Sequence, residues 1–412
     1  KNCTQIKELI GKIMEKCLKI REYLPKYEQI KNILENEPEA NYILQMAAAD
    51  IEKPLVTGEF NEEMYYLICS LTDKCWERIH TGHFSEVSLD VRKTYTLANY
   101  YKIFYLLCEG VSQQQLMRCT EILDEAILIG CTQELYSKSD EFQNQLTEFV
   151  SEFSDDVSEI PLPIIEEVKR QDYKCDIPVL DCPTVENFRT KCFISEQPAL
   201  LLNTFMHWPA MQKWRDLNYL FKLAGNRTVP IEIGANYTTD EWSQQLVKIR
   251  DFLRRQFTET HHEIEYLAQH ELFDQIPALK ADIRIPDYCS IHSKNSCSEQ
   301  VSIKAWLGPK NTISPLHYDP ENNLLCQVFG RKQIILAAPA DTSKLYPHET
   351  EMLCNTSQID AAQLDFERFP LAAEVKFYNV TLQAGDCLYM PPKWWHYVRA
   401  ESESFSVSFW WS

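Results

Sequence analysis

The stretch TISPLHYDPENNLLCQVFGRKQIIL, residues 312–336, contains the pattern from which the rest of the chain can be interpreted. His317 and Asp319 are two residues apart, so on a β-strand both side chains point to the same face. Two such ligands and a histidine from elsewhere form the two-histidine, one-carboxylate triad, which leaves coordination positions open on non-haem Fe(II). We nominate His396, within GDCLYMPPKWWHYV, as the second histidine.

A lysine follows the His-x-Asp pair at the start of the next apolar run. Lys332 comes directly after Gly330 and Arg331, and residues 333–336 are apolar enough to predict a strand. A cation at this position could hold the far carboxylate of a cosubstrate bound at the metal. The stretch therefore offers a pair of metal ligands and a cation for an anionic ligand.

A second match to the same pattern, His261–Glu263, competes with the first. A chain with ten histidines and sixty acidic residues yields a His-x-acid pair by chance. The competing pair follows an amphipathic pattern at residues 246–255, so we predict that it ends or trails a helix, where positions i and i+2 do not share a face. His317–Asp319 lies among strand-forming residues instead, although the residues alone leave the choice open.

Further residues at fixed spacings resemble the jumonji-C oxygenase family. The HYD motif is followed by Asn323, by Lys332 fifteen residues after His317, by the Gly385–Asp386 turn and by a P-x-WWH-x-V motif. The likeness covers about the last 235 residues, from IPVLDCPTVENF to the terminal FSVSFWWS. It implies a double-stranded β-helix of the jelly-roll (cupin) type, with Fe(II) as the metal and with 2-oxoglutarate and O2 as cosubstrates.

The resemblance also assigns roles to individual residues. The implied iron ligands are His317, Asp319 and His396, and the implied contacts of 2-oxoglutarate are Tyr288, Ser314, Asn323 and Lys332. Asn323 lies an even number of residues after His317, so the two share a face only if the strand continues through Pro320. Trp306 and Trp410 are expected to pack the barrel.

The implied reaction couples decarboxylation of 2-oxoglutarate to succinate with oxidation of a C–H bond in a protein side chain. Members of the family hydroxylate arginine or demethylate methyl-lysine in histones. An arginine favours carboxylates, for which Glu232 and Asp240 are candidates, whereas a methylammonium favours an aromatic cage. We therefore expect arginyl hydroxylation. The alternatives are histone demethylation, a histone-tail peptidase activity attached to the family, and a non-catalytic chromatin or partner-binding module.

Composition limits the partners and the compartment. The 412 residues carry a formal charge of −19, which argues against non-specific binding to nucleic acid but suits a basic protein substrate such as a histone tail. Fifteen cysteines, odd in number and without a Cys-x-x-Cys pair, indicate free thiols in the cytosol or nucleus. Nuclear residence is implied by the resemblance alone. No signal peptide or membrane span is expected, so the Asn355-Thr-Ser sequon has no evident use.

Hydrophobic periodicity divides the chain into a helical part and a part with short strands, so we predict an α+β protein. Residues 1–153 show helical stripes and predict an all-α domain that serves as a scaffold or binds a partner. Residues 154–175 are acidic, contain proline and predict a linker. Residues 176–412 predict the jelly roll, with helical inserts at Thr184–Cys192 and Glu241–Phe257. The chain begins at Lys1, so we expect the true N-terminus to be missing or processed.

Overall fold

A computed structural model of the chain describes residues 15–17, 19–53, 61–81, 86–110, 112–132, 135–153, 162–166, 170, 175–234, 242–258, 263–292, 300–350 and 353–412. The chain divides into two compact units, one of residues 1–158 with 226–228 and one of residues 159–225 with 229–412. The first unit is helical and the second contains two β-sheets, so the predicted fold class is confirmed.

The first unit is built from amphipathic helices. Its helices are α1 (Tyr27–Ile30), α2 (Pro38–Ile51), α3 (Glu62–Ile79), α4 (Leu89–Glu109), α5 (Gln113–Leu128) and α6 (Ser139–Phe153), preceded by helical residues at 15–17 and 19–23. Ser88 begins α4 by accepting a hydrogen bond from the Val91 amide, and Ser112 and Gln115 form the predicted capping box at the start of α5. Each helix from α2 onward packs against the next one in the chain.

Helix α4 lies at the centre of this unit, because it is buried on nearly every side. Its aromatic residues Tyr100, Tyr101 and Phe104 are fully enclosed, so the aromatic stripe of this region forms core. Helix α3 buries only a stripe at helical spacing, from Met64 to Ile79, as the periodicity of this region predicts. The apolar residues at 6–14, which have the same periodicity in the sequence, lie outside the described part of the chain.

The second unit combines thirteen strands with short helices. The strands are β1 (Val179–Asp181), β2 (Ala199–Leu202), β3 (Thr228–Ile233), β4 (Ser243–Lys248), β5 (Glu265–His270), β6 (Ser302–Gly308), β7 (Ile313–Tyr318), β8 (Asn322–Phe329), β9 (Arg331–Ala337), β10 (Tyr378–Gln383), β11 (Cys387–Met390), β12 (Trp395–Ala400) and β13 (Ser404–Trp411). The helices are α7 (Val185–Phe188), α8 (Ala210–Lys213), α9 (Leu217–Ala224), α10 (Ile249–Phe257), α11 (Leu272–Gln275) and α12 (Pro277–Lys280). A π-helical turn follows α7 at Arg189–Phe193, and 3₁₀ turns lie at Asp287–Ser290, Pro339–Lys344 and Pro370–Glu374.

The strands form two sheets that face each other. The larger sheet has the order β1-β2-β11-β8-β13-β6-β5-β3-β4, and the smaller has the order β10-β9-β12-β7. Leu325 and Leu388 of the larger sheet share one apolar cluster with Ile334 and Val398 of the smaller sheet. Alternate residues of β13, from Phe405 to Trp411, point to the other face of the larger sheet and pack under the helices. This is the arrangement of a jelly roll.

One predicted element is wrong in part. The predicted helical insert Glu241–Phe257 is strand β4 at Ser243–Lys248, and the helix begins only at Ile249. Pairing at the edge of the larger sheet decides the conformation of this polar segment, which periodicity alone assigned to a helix. The linker prediction also changes in detail, because Ile164 forms a β-bridge with Asp216 within the second unit.

Among the described residues, no helix combines the length and the apolar character that crossing a bilayer requires. The cysteines found there are free thiols, and several are fully buried.

Candidate active site in the jelly roll

His317 lies at the end of β7, and Asp319 directly follows that strand. The Nδ1–H of His317 donates to the carbonyl of Pro315 at 2.7 Å, which leaves Nε2 free to bind a ligand. The backbone carbonyl of Asp319 accepts a hydrogen bond from the Lys393 amide at 2.7 Å. The predicted pair is therefore brought together, although a turn, and not strand alternation, places Asp319.

His396 of β12 lies directly opposite His317 in the antiparallel pair β12–β7. Its Nδ1–H donates to the carbonyl of Trp394 at 3.0 Å. The two imidazole rings have centroids 4.2 Å apart, and Nε2 of His396 lies 3.5 Å from Oδ2 of Asp319. One ligand atom from each of the three residues lies within 4.8 Å of the others.

The charge state of this cluster suits a metal ion. Burial, and to a lesser extent the neighbouring His317, lower the pKa of His396 to about 4 against the opposing effect of Asp319. His396 is therefore neutral near pH 7, which is the form that binds metals. Oδ2 of Asp319 is buried without a hydrogen-bond partner. Two imidazoles whose other nitrogen is fixed and one carboxylate are the donor set of a non-haem iron site.

The three residues line one end of a cavity between the two sheets. The cavity is partly open to solvent. The remaining lining residues are Tyr266, Trp306, Ser314, Asn323, Leu325, Lys332, Met390, Val398, Ser408 and Trp410. Apolar side chains and a few convergent polar groups together make a ligand site.

Lys332 lies at the other end of the cavity. On β9 it stands four residues from Leu336, the position opposite His396 on β12, so it is well removed from the His-Asp-His cluster. Its Nζ donates to the hydroxyl of Tyr266 at 3.3 Å. Burial lowers the pKa of Lys332 to about 7, because no anion among the described residues compensates its charge. The cavity thus holds a buried lysine that an anion would stabilise as a cation.

Ser314 reaches the cavity through an irregularity in β7. Ser314 and His317 are three residues apart, a spacing that puts them on opposite faces of a regular strand. The β12–β7 register shifts between His396 and Val398, so that Ser314 pairs with Val398. This β-bulge turns Ser314 and His317 toward the same cavity.

Asn323 and Trp410 form a cross-strand pair on the larger sheet, in the register of β8 and β13. Asn323 lies at the start of a new strand beyond Pro320, so the condition of an unbroken strand is not met, yet the residue still lines the cavity. Oδ1 of Asn323 and Nε1 of Trp410 are both buried without a hydrogen-bond partner. Trp306 differs, because its Nε1–H donates to Ser408 Oγ at 2.8 Å.

Tyr288 is the predicted cosubstrate contact that the structure does not bring to this cavity. Its hydroxyl donates to the carbonyl of Pro183 at 2.6 Å, and its ring packs on Phe188 under the larger sheet. Tyr266 occupies the cavity instead, with a pKa raised chiefly by burial. The sequence reasoning missed Tyr266, since every position from Glu265 to Ala268 on β5 is buried and shows no alternation.

Of the two predicted substrate carboxylates, Glu232 lies in the described part of the chain and Asp240 does not. Glu232 of β3 lies opposite Tyr266 of β5, so the two side chains share the face that carries the cavity. Burial raises the pKa of Glu232, and the indole of Trp242 opposes this effect. Asp240 and His261 lie outside the described residues, and Glu263 follows the end of α10 at Phe257.

Comparison with known proteins finds one family model and several relatives that agree with one another. A family model described as a cupin-like domain matches residues 185–412. The chain is 57% identical over 400 residues to Jumonji C domain-containing protein 5 of Drosophila melanogaster, covering 96% of this chain and 98% of that protein. It is 37% identical over 365 residues to Lysine-specific demethylase 8 of Danio rerio, with 83% and 86% covered. It is 36% identical over 367 residues to Lysine-specific demethylase JMJ30 of Arabidopsis thaliana, with 82% and 84% covered.

The matched residues 185–412 include the whole cavity with its His-Asp-His cluster. The family model covers more than half of the chain, and the Drosophila relative is similar along nearly the whole length. Fold, cluster and relatives thus agree. The chain belongs to the jumonji-C family of cupin-like, 2-oxoglutarate-dependent oxygenases.

Proposed function

We propose that His317, Asp319 and His396 hold Fe(II), and that the cavity holds 2-oxoglutarate with its far carboxylate at Lys332. The observation that carries the proposal is one cavity with converging ligand atoms at one end and a buried lysine without an anion at the other. When bound, Fe(II) with O2 and 2-oxoglutarate supplies the oxidation of a substrate C–H bond, while the cosubstrate becomes succinate and CO2.

Lys332 binds the far carboxylate, and Tyr266 and Ser314 add hydroxyl donors to it. Lys332 Nζ already lies 3.3 Å from the Tyr266 hydroxyl, so an anion placed there meets two donors at once. The raised pKa of Tyr266 keeps its proton in place as a donor. Leu325, Met390 and Val398 surround the carbon chain and exclude water, which strengthens the charged contact.

Asn323 and Trp410 serve the opposite end of the cosubstrate. Their register on the larger sheet places them side by side, and each has a buried polar atom that lacks a partner. The indole N–H can only donate, so it requires an acceptor such as a carboxylate. We assign to this pair the orientation of the cosubstrate near the metal.

We propose arginine in a protein as the substrate, with hydroxylation of a side-chain carbon as the reaction. Glu232 shares a face with Tyr266 at the cavity and has no ion-pair partner among the described residues. A half-buried carboxylate without a cation carries a desolvation cost, and a guanidinium pairs with it through two parallel hydrogen bonds. The acidic chain, at −19, is compatible with a basic substrate.

Demethylation of methyl-lysine is the second candidate, because the relatives from Danio rerio and Arabidopsis thaliana are named lysine-specific demethylases. An aromatic cage for a methylammonium needs free ring faces. Lys304 Nζ lies 5.9 Å from the ring centroid of Trp410. One aromatic ring of the cavity therefore already has a cation of the chain beside it, which favours arginine.

The products distinguish the two reactions. The purified chain is incubated with Fe(II), 2-oxoglutarate and either arginine-containing or methyl-lysine peptides, with Asp319→Ala as the inactive control. Hydroxylated arginine keeps the added oxygen in its mass, whereas a hydroxylated N-methyl group leaves as formaldehyde. We expect a stable oxygen addition on arginine. Stoichiometric formaldehyde without oxygen addition would overturn the choice of arginine, and absence of succinate with every peptide would count against the whole proposal.

Two further proposals concern the partners and the cellular location of the protein. We propose a basic protein as the partner of the oxygenase unit, and a protein partner for the helical unit. Residence in the nucleus, the cytoplasm or both follows from the family resemblance and is tested by imaging the tagged full chain.

A further inference from the structure

The outer edge of β7 runs beside His317 and ends next to Asp319, two of the residues that we propose as metal ligands. In the smaller sheet β7 pairs with β12 on one side only, so its other edge presents backbone groups that no strand of that sheet covers. Tyr318, which separates His317 from Asp319, lies at the end of this edge. A shift of its backbone would move both ligands.

A short segment, residues 355–357, covers this edge. Thr356 forms a β-bridge with His317, and the Ser357 amide donates to the Leu316 carbonyl at 2.8 Å. Asn355 then binds both polar groups of the Tyr318 backbone. The Tyr318 amide donates to the Asn355 carbonyl at 3.0 Å, and Nδ2 of Asn355 donates to the Tyr318 carbonyl at 2.9 Å.

The covering segment is itself well anchored. Thr356 and Ser357 are buried, and Ser357 forms a β-bridge with Pro347. The carbonyl of Thr356 accepts from the His348 amide at 2.9 Å, and Ser357 Oγ donates to the Leu345 carbonyl. Asn355 therefore transmits the position of a packed segment, not that of a loose loop.

Asp319 is fixed separately from the other side. Its carbonyl accepts the Lys393 amide, and Lys393 has the left-handed φ of 65°. A non-glycine residue held in that conformation indicates that surrounding contacts impose it. The His-x-Asp segment is thus tied to two different parts of the fold, by Asn355 at Tyr318 and by Lys393 at Asp319.

We infer that Asn355 is a positioning residue of the metal centre, which fixes the spacing of His317 and Asp319 by holding the Tyr318 backbone between them. The inference rests on the proposed function, since it requires that these residues bind a metal. It also gives a use to the side chain of the Asn355-Thr-Ser sequence, whose amide is occupied by the Tyr318 carbonyl.

The test uses Co(II) binding by the purified full chain, followed through the visible absorption of the bound ion and by competition with a chelator. Asn355→Ala is expected to weaken Co(II) binding by about 10- to 100-fold, the usual effect of removing a group that orients a ligand. Its absorption spectrum should also change, because the ligand geometry changes. Circular dichroism and the thermal midpoint report whether the fold remains.

Asn311→Ala is the matched control. Oδ1 of Asn311 accepts a hydrogen bond from Arg399 at 2.8 Å and so joins the same β7–β12 region at the end away from the metal ligands. We expect its Co(II) affinity and spectrum to match those of the unaltered chain, whatever its stability. If both variants lose affinity equally, the effect is general destabilisation and the inference is overturned.

Asn355→Asp separates position from charge and serves if Asn355→Ala does not fold. A carboxylate near a cation strengthens binding if charge alone matters, whereas here it faces the Tyr318 carbonyl without a donor. We expect weaker Co(II) binding than in the unaltered chain. Unchanged or tighter binding would refute the positioning role. Failure of the unaltered chain to bind Co(II) would instead refute the proposed function itself.

Discussion

The two ends of the cavity hold their ionisable groups in opposite ways. At the metal end, a backbone carbonyl fixes each histidine, and His396 is neutral because its pKa is lowered to about 4. At the other end, Lys332 is buried with a tyrosine hydroxyl at 3.3 Å and with no anion from the described part of the chain. The metal end is organised before its ligand binds, whereas the lysine end carries a cost that only the ligand removes. The two ends should therefore respond differently to substitution and to pH.

The largest effect is expected at the metal end. Asp319→Ala removes one of three ligands, so metal affinity should fall by more than about 100-fold, beyond the range seen when an orienting group is removed. Turnover of 2-oxoglutarate should vanish while the fold remains, because Asp319 makes no side-chain hydrogen bond through Oδ2. Iron content and succinate formation measure this. Near-normal values for either would show that the triad is assigned wrongly.

Lys332→Met should weaken cosubstrate binding and stabilise the fold at the same time. The lost charge-assisted contact is worth about 1.5–3 kcal/mol, or roughly ten- to over a hundredfold in 2-oxoglutarate affinity. Removing a buried lysine without an anion should raise the free energy of unfolding by roughly 1–4 kcal/mol. Calorimetric titration and thermal unfolding of the ligand-free chain measure the two. Destabilisation by Lys332→Met would contradict the contrast between the two ends.

The pH dependence of binding should follow the lysine end. Lys332 is a cation below pH 7 and becomes neutral above it, whereas a bound carboxylate keeps it charged. Binding therefore takes up a proton above pH 7, and affinity should fall by up to about tenfold per pH unit there. Tyr266 keeps its proton in this window, and His396 titrates far below it. Titrations in buffers of different ionisation enthalpy count the protons, and Lys332→Met should take up none.

The lowered pKa of Lys332 also determines how the stabilisation by Lys332→Met depends on pH. Between pH 7 and 10.5 the folded chain binds fewer protons at Lys332 than the unfolded chain does, so this lysine destabilises less as pH rises through that range. The stabilisation by Lys332→Met should be largest below pH 7 and should disappear above about 10.5. A stabilisation that does not vary with pH would point to packing as its cause.

The smallest effect is expected from a single neutral donor. Trp410→Phe keeps a ring but removes the unpartnered N–H, which should weaken 2-oxoglutarate binding by about 3- to 10-fold, the equivalent of one ordinary hydrogen bond. Trp306→Phe removes an N–H that is bonded to Ser408, so it should affect cosubstrate affinity less. Binding to the Mn(II)-loaded chain measures both. Equal losses would show that the indoles act by packing.

The His-Asp-His cluster was predictable because its residues lie in short motifs, whereas the surrounding residues were not. Lys332 follows a turn that the sequence marks with Gly330, and the structure confirms the strand that it opens. Asn323 was assigned by resemblance, and strand alternation could not place it, since β7 ends before Pro320 and Asn323 belongs to β8 in the opposite sheet. Periodicity describes one strand at a time and does not report which strands face each other.

Tyr266 and Tyr288 illustrate the same limit. Both are buried tyrosines with hydroxyls that need partners, and neither lies in a motif. Their positions on opposite faces of the larger sheet follow from long-range pairing, which fixes Tyr266 opposite Glu232 and leaves Tyr288 against Pro183. The helical region was predicted more fully, because caps such as Ser112 and stripes such as that of α3 are local signals.

The bulge in β7 has a consequence for the protons of His317 and His396. Each ring donates to the carbonyl two residues before it, and both carbonyls lie where regular strand pairing is interrupted, Pro315 in the bulge and Trp394 just before β12. An uninterrupted ladder engages such carbonyls with a neighbouring strand. The interruptions thus select the tautomer with its proton on Nδ1 and its lone pair on Nε2. The bulge in β7 and the start of β12, without any additional side chain, set the basicity and the orientation of both imidazoles.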